Sequence, residues 1–171
     1  VTEENPGGVT GRVTVDAGVE FPAVDPGRTW VVGAVILDAR GEAFAQYRAL
    51  GRRPSRTAGI WWAAMSSRAR ARSAAWSARS PRRPAGRVCR VRRFLGVITW
   101  RGDDGLGVRH EADYVVEVDG DLDRPDLEWA KHPRFGWFGP GDLDRLTENR
   151  APHDQLVHVV VARALGVTAP D

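Results

Sequence analysis

Apolar and polar positions along this chain fall into runs that predict a handful of elements. RVTVD, residues 12–16, opens the ordered pattern, and TWVVGAVILDARGEAFAQYRA, residues 29–49, follows it. The near-continuous apolar core of the second stretch predicts a buried strand. A turn at Arg40 and Gly41 then leads into a shorter returning strand. VRRFLGVITW and HEADYVVEV bracket RGDDGLG, whose Asp and Gly residues favour a tight reversal, so a second hairpin is predicted there. LEWAKHPRFGWFGP reads as extended, and GDLDRL as the start of a short helix with Asp142 near its positive end. The last element is a helix in PHDQLVHVVVARALG. Pro152 suits its first turn, Leu156, Val160 and Ala164 fall at helical spacing, and Gly166 stops it. These elements predict an α+β domain without internal repeats.

One stretch breaks the pattern. GIWWAAMSSRARARSAAWSARSPRRPAG, from Gly59, has six arginines, no acid, three of the seven tryptophans and little apolar periodicity. Neither a core helix nor a buried strand has that composition. The net charge of +3 conceals the asymmetry: residues 43–100 hold fourteen arginines and no Asp or Glu, leaving all 22 acids against 11 bases elsewhere. Such an inversion marks a nucleic-acid patch or a foreign segment.

With 171 residues, 42% of them hydrophobic, the chain suits one domain over residues 1–171, with residues 1–28 as an N-terminal extension and strand. No apolar run has membrane-spanning length, and VTEENPGG lacks the basic and apolar regions of a secretory signal, so a cytoplasmic protein with no membrane partner is expected. The single cysteine, Cys89, allows no internal disulfide and no thiolate cluster; a buried structural thiol is its expected role.

The flanks of the arginine-rich stretch resemble the Nudix hydrolase family. In that family an apolar strand like WVVGAVILDARGEAF precedes the catalytic element, and a segment like EWAKHPRFGWFGPGDLDRL follows it. The resemblance covers most of residues 29–166. Missing is the family's signature, G-x5-E-x7-R-E-U-x-E-E-x-G-U with U apolar, which belongs where the arginines lie. The genetic code offers an account: each offset codon takes the third base of one residue's codon and the first two of the next. From Pro54 onward this reading permits F-P-D-G-W-D-L-V-G-G-H-V-E-P-G-E, then S-A-L, four loosely fixed positions, and R-E-V-A-E-E-T-G-W. Every fixed signature position is met at the right spacing. Met65, Ile60, Gly59 and Gly86 are the discriminating residues, because their codons leave little choice. About residues 50–88 therefore read as translated out of frame, between two compensating shifts.

The resemblance implies an α/β/α sandwich with a mixed sheet, and hydrolysis of a nucleoside diphosphate derivative assisted by Mg²⁺ or Mn²⁺. In the family, Glu at i, i+3 and i+4 on one helix face aims three carboxylates at the metal. Here the corresponding positions are Ala78, Pro81 and Arg82, which supply no such ligand, and Pro81 interrupts a helix. The expectation is a disrupted catalytic helix, no catalytic or metal residues, no bound Mg²⁺ or Mn²⁺, and little or no activity. A poorly anchored helix over about residues 66–80, or a mobile loop, is expected of the segment.

The other candidates have plainer readings. DGDLDRPDLEWA, residues 119–130, begins like a calcium loop, but Arg124 stands at its sixth position and Ala130 at its twelfth, so a solvated acidic turn is expected. His153 and His158, five apart, share no helix face, and His110 and His132 lie on other elements; all four read as surface or packed histidines. His110 and Glu111 are adjacent on a strand and face opposite sides, which argues against an acid/base couple. Arginines interleaved with Trp61, Trp62 and Trp76 suit phosphates and bases, so nonspecific nucleic acid is the alternative partner, although the offset frame explains the same residues as by-products of coding. Arg48 is the one candidate for contact with a substrate phosphate. Substrate identity and oligomeric state are open.

Overall fold

The computed structural model describes residues 13–47, 61–63, 87–101, 107–125, 134–148 and 155–168. Seven strands appear among them: β1 (Thr14–Val15), β2 (Thr29–Ile36), β3 (Ala43–Tyr47), β4 (Trp61–Ala63), β5 (Arg87–Arg101), β6 (Val108–Asp119) and β7 (Arg134–Phe138). A 3-10 helix, Pro140–Thr147, and one α-helix, α1 (Leu156–Leu165), complete the described elements. This is the α+β arrangement with a mixed sheet that the sequence predicts. None of the described helices is long and apolar enough to cross a membrane.

The main sheet runs β1-β5-β6-β2-β4. β5 and β6 form the predicted antiparallel hairpin, with Arg101 opposite Val108 at its closing end. β6 then lies parallel to β2, Thr29 opposite Arg109 and Ile36 opposite Val116. Having neighbours on both sides and packing on both faces, β2 carries the apolar run of a central strand. Three bulges bend β5 against β6, the last between Phe94 and Gly96. Gly96 has φ 118°, a left-handed backbone that disfavours any side chain.

The first predicted hairpin is only half realised. Asp38 closes the turn through its Oδ1, which accepts from the backbone N–H groups of Arg40 and Glu42 at 2.9 and 2.8 Å. A single bridge joins Leu37 to Ala43. Beyond it β3 leaves β2 and pairs with β7 in a separate two-stranded sheet, Ala43 opposite Phe138. The reason is occupancy: β6 and β4 already take both edges of β2.

Each face of the main sheet has its own core. On one, Val35 and Val115 meet Val157, Val160, Val161 and Ala164 of α1, with Leu143 and Leu146 of the 3-10 helix and Phe138 beside them. On the other, Ala34, Ile36, Ala112, Tyr114 and Val116 pack with Phe44, Val91 and residues of the N-terminal segment. Phe21 and Phe94 flank the Tyr114 ring at 5.6 and 5.1 Å. The helix ends as its sequence predicts: Gly166 has φ 72°, and Val167 N–H reaches back to Ala162 O at 2.9 Å, the closure of a Schellman motif. The Arg93 side chain of β5 also donates to the carbonyl oxygen of Ala164. The GDLDRL helix is real but tightens to 3-10, with Asp142 Oδ2 accepting from Gly139 N–H at 3.2 Å.

Candidate functional site

Strand alternation puts Arg109, Glu111, Asp113 and Val115 on one face of β6. In register beside them are Val31, Gly33 and Val35 of β2, and Ile98 and Gly96 of β5. Two carboxyls are therefore enclosed in the middle of the sheet: Glu111 is 0% exposed and Asp113 1%. Gly33 makes room for them. A Cβ there would lie 1.9 Å from Asp113 Oδ1 and 2.7 Å from Glu111 Oε1.

Their partners are few. Trp100 Nε1 donates to Glu111 Oε2 at 2.7 Å, and the Arg109 guanidinium lies 5.0 Å from the Trp100 ring centroid. Apart from the two carboxyls' interaction with each other, Glu111 Oε1 and both Asp113 oxygens lack a hydrogen-bond partner. Arg163 of α1 acts on Asp113 through its charge. Its guanidinium runs past Gly96, where a Cβ would sit 3.1 Å from Nη1. Burial raises Glu111 to about 6, against the opposing hydrogen bond from Trp100. Burial, and then the charge of Glu111, push Asp113 up to about 9, with Arg163 only partly offsetting them. The chemistry open to such a pair is proton holding.

A divalent metal does not fit the described residues. No group of three or more His, Cys, Asp or Glu among them is placed to hold one. The two carboxyls are flanked by apolar residues and by Gly33, short of the oxygen donors that Mg²⁺ requires.

The Gly33 contact yields an expected result. Gly33→Ala should lower unfolding free energy by about 1–3 kcal/mol, the usual cost of overpacking, measured by urea denaturation. Adding Asp113→Ala should recover part of that loss, because it removes the obstructing oxygen. An unaltered midpoint in Gly33→Ala would show that the carboxyls do not crowd this backbone.

The sequence-based candidates fare unevenly. Arg48, offered for substrate phosphate, lies outside the described residues, as do Ala78, Pro81, Arg82, His132 and His153. The expected disrupted helix lies there too. His110 and Glu111 do face opposite sides: the His110 ring lies tilted against Trp30, ring centroids 5.2 Å apart, and meets Thr99 Oγ1 at 3.2 Å. His158 is a packed histidine, buried on α1. Cys89 is half-buried, its thiol directed at Glu117 O at 3.5 Å. The acidic turn is local structure, Asp121 Oδ1 accepting from the N–H groups of Asp123 and Arg124 at 3.0 and 3.2 Å. The Glu111 and Asp113 pair escaped sequence reasoning. Its signal was two acids at i and i+2 sharing a strand face with Val115, in register with a glycine in the apolar run of β2.

No family model matches the chain, and no curated protein matches its sequence. Solved structures give matches. A MutT Nudix hydrolase from Burkholderia pseudomallei is 18% identical, over 76% of this chain and 95% of its own, with a TM-score of 0.43. The E. coli ORF135 protein is 14% identical over 81% and 92%, with a TM-score of 0.45. A Nudix hydrolase from Nitrosomonas europaea is 15% identical over 84% and 93%, with a TM-score of 0.43.

Proposed function

We propose that this chain descends from Nudix hydrolases acting on nucleoside diphosphate derivatives, and that as translated it is inactive or severely impaired. The observation that carries the reading is the offset frame: from Pro54 to Gly86 it permits every fixed position of the family signature at its proper spacing. The reading is further supported by the flanks, WVVGAVILDARGEAF before the stretch and EWAKHPRFGWFGPGDLDRL after it. Three carboxylates on one helix face would neutralise the diphosphate through Mg²⁺ or Mn²⁺. Ala78, Pro81 and Arg82 cannot supply them.

Two measurements test this. The DNA over codons 45–95 must contain the third bases that the offset frame requires, and any incompatible codon overturns the descent of the segment. Purified protein given a nucleoside diphosphate sugar with Mg²⁺ or Mn²⁺ should show no turnover above a buffer control; brisk metal-dependent cleavage refutes the inactivity. The interleaved arginines and tryptophans favour one competing reading, a noncatalytic nucleotide- or nucleic-acid-binding protein using the arginine-rich segment and Arg48. Saturable binding without turnover would support it.

A further inference from the structure

We propose that Glu111 and Asp113 share one proton as a carboxylic acid and carboxylate pair, and that this proton lets both carboxyls stay enclosed against Gly33 of β2, so the fold loosens as alkali removes it. The geometry argues for it without reference to any ligand. Two acids two residues apart on one strand face are enclosed at 0% and 1% exposure, with their oxygens crowded against the Cα of Gly33. Trp100 satisfies one of the four oxygens. The other three lack a donor besides a proton of the pair itself. Two neighbouring anions in a dry site repel strongly, whereas one proton removes a charge and supplies a hydrogen bond. A deprotonated carboxylate then accepts two bonds, one from Trp100 and one from its neighbour.

The surrounding groups do not remove this need. β2 presents Val31, Gly33 and Val35, none of which titrates. β5 presents Trp100, Ile98 and Gly96, and its Arg93 reaches the carbonyl at the end of α1. α1 carries His158 and Arg163, and β6 itself carries Arg109 over Trp100. Among these described groups Arg163 is the cation that acts on Asp113, and Asp113 remains raised despite it.

The sign of the pH effect follows. Both groups bind their protons more tightly folded than unfolded, so their contribution is complete below the unfolded values and falls as pH rises. Glu111 loses its share by about 6 and Asp113 by about 9. Within that window each pH unit lowers the folding equilibrium constant about tenfold per extra proton held. The experiment is a thermal unfolding series from about pH 5 to about pH 9 on the full chain and on Asp113→Asn, whose amide donates to Glu111 at every pH. The wild-type midpoint should fall across the series and that of Asp113→Asn should fall much less. Parallel falls, or a flat or rising wild-type curve, overturn the proposal. Should Asp113→Asn not fold, infrared spectroscopy of the wild type decides: a protonated-carboxyl carbonyl band must persist at neutral pH, and its absence overturns the proposal equally.

Discussion

Rewriting the stretch from Pro54 to Gly86 in the offset frame should raise Mg²⁺-dependent cleavage of a nucleoside diphosphate sugar by about a thousandfold or more. The size comes from metal catalysis: a positioned divalent cation supplies several kcal/mol at the transition state, and about 1.4 kcal/mol is tenfold in rate. The change would place three carboxylates where Ala78, Pro81 and Arg82 now stand. It also removes Pro81 from a helix it would break, at about 3 kcal/mol or more. Initial-rate assays with and without metal chelation check the result. A rewritten chain that folds and yet neither binds Mg²⁺ nor shows turnover would falsify descent from this family.

Phe138→Ala should cost about 3–5 kcal/mol, the range for truncating a large buried aromatic. Domains of this kind are stable by only about 5–15 kcal/mol in total, so the variant should unfold well below the parent's temperature. The magnitude rests on position. Phe138 is 1% exposed and ends β7, where its backbone pairs with Ala43 and its ring meets the core beneath α1. The Arg145 guanidinium lies 5.5 Å from the ring centroid, so a cation–π contact goes with it. Denaturant titration beside Val24→Ala, an exposed control expected within about 0.5 kcal/mol, separates lost packing from general fragility. Equal midpoints for the two would contradict this core.

Local chemistry explains which elements the sequence disclosed. The β5 and β6 hairpin was legible because Asp and Gly mark its reversal between two strand-like runs, and α1 because Leu156, Val160 and Ala164 repeat at helical spacing before a glycine. The destination of β3 was not legible. A short apolar run specifies a strand but not its partner, and AFAQY gives no hint that its edge belongs to RFGWF. The carboxyl pair was obscured for a similar reason. Alternating acids in a strand ordinarily mark a solvated face, and only the packing around Val115 and the register with Gly33 enclose them. His110, the adjacent residue, faces the other side of the sheet, and the group that shares the face of Glu111 lies two residues on.

The parallel ladder between β2 and β6 also has a temporal side. Thr29 finds Arg109 about 80 residues later in the chain. At ordinary synthesis rates of about 5–20 residues per second, the ribosome needs roughly 4–16 s to deliver that partner. During that interval one long edge of an apolar strand is without its native neighbour, beside a nascent stretch crowded with arginines. Such a polypeptide should depend on chaperones that shield strand edges, and its yield should rise when they are abundant.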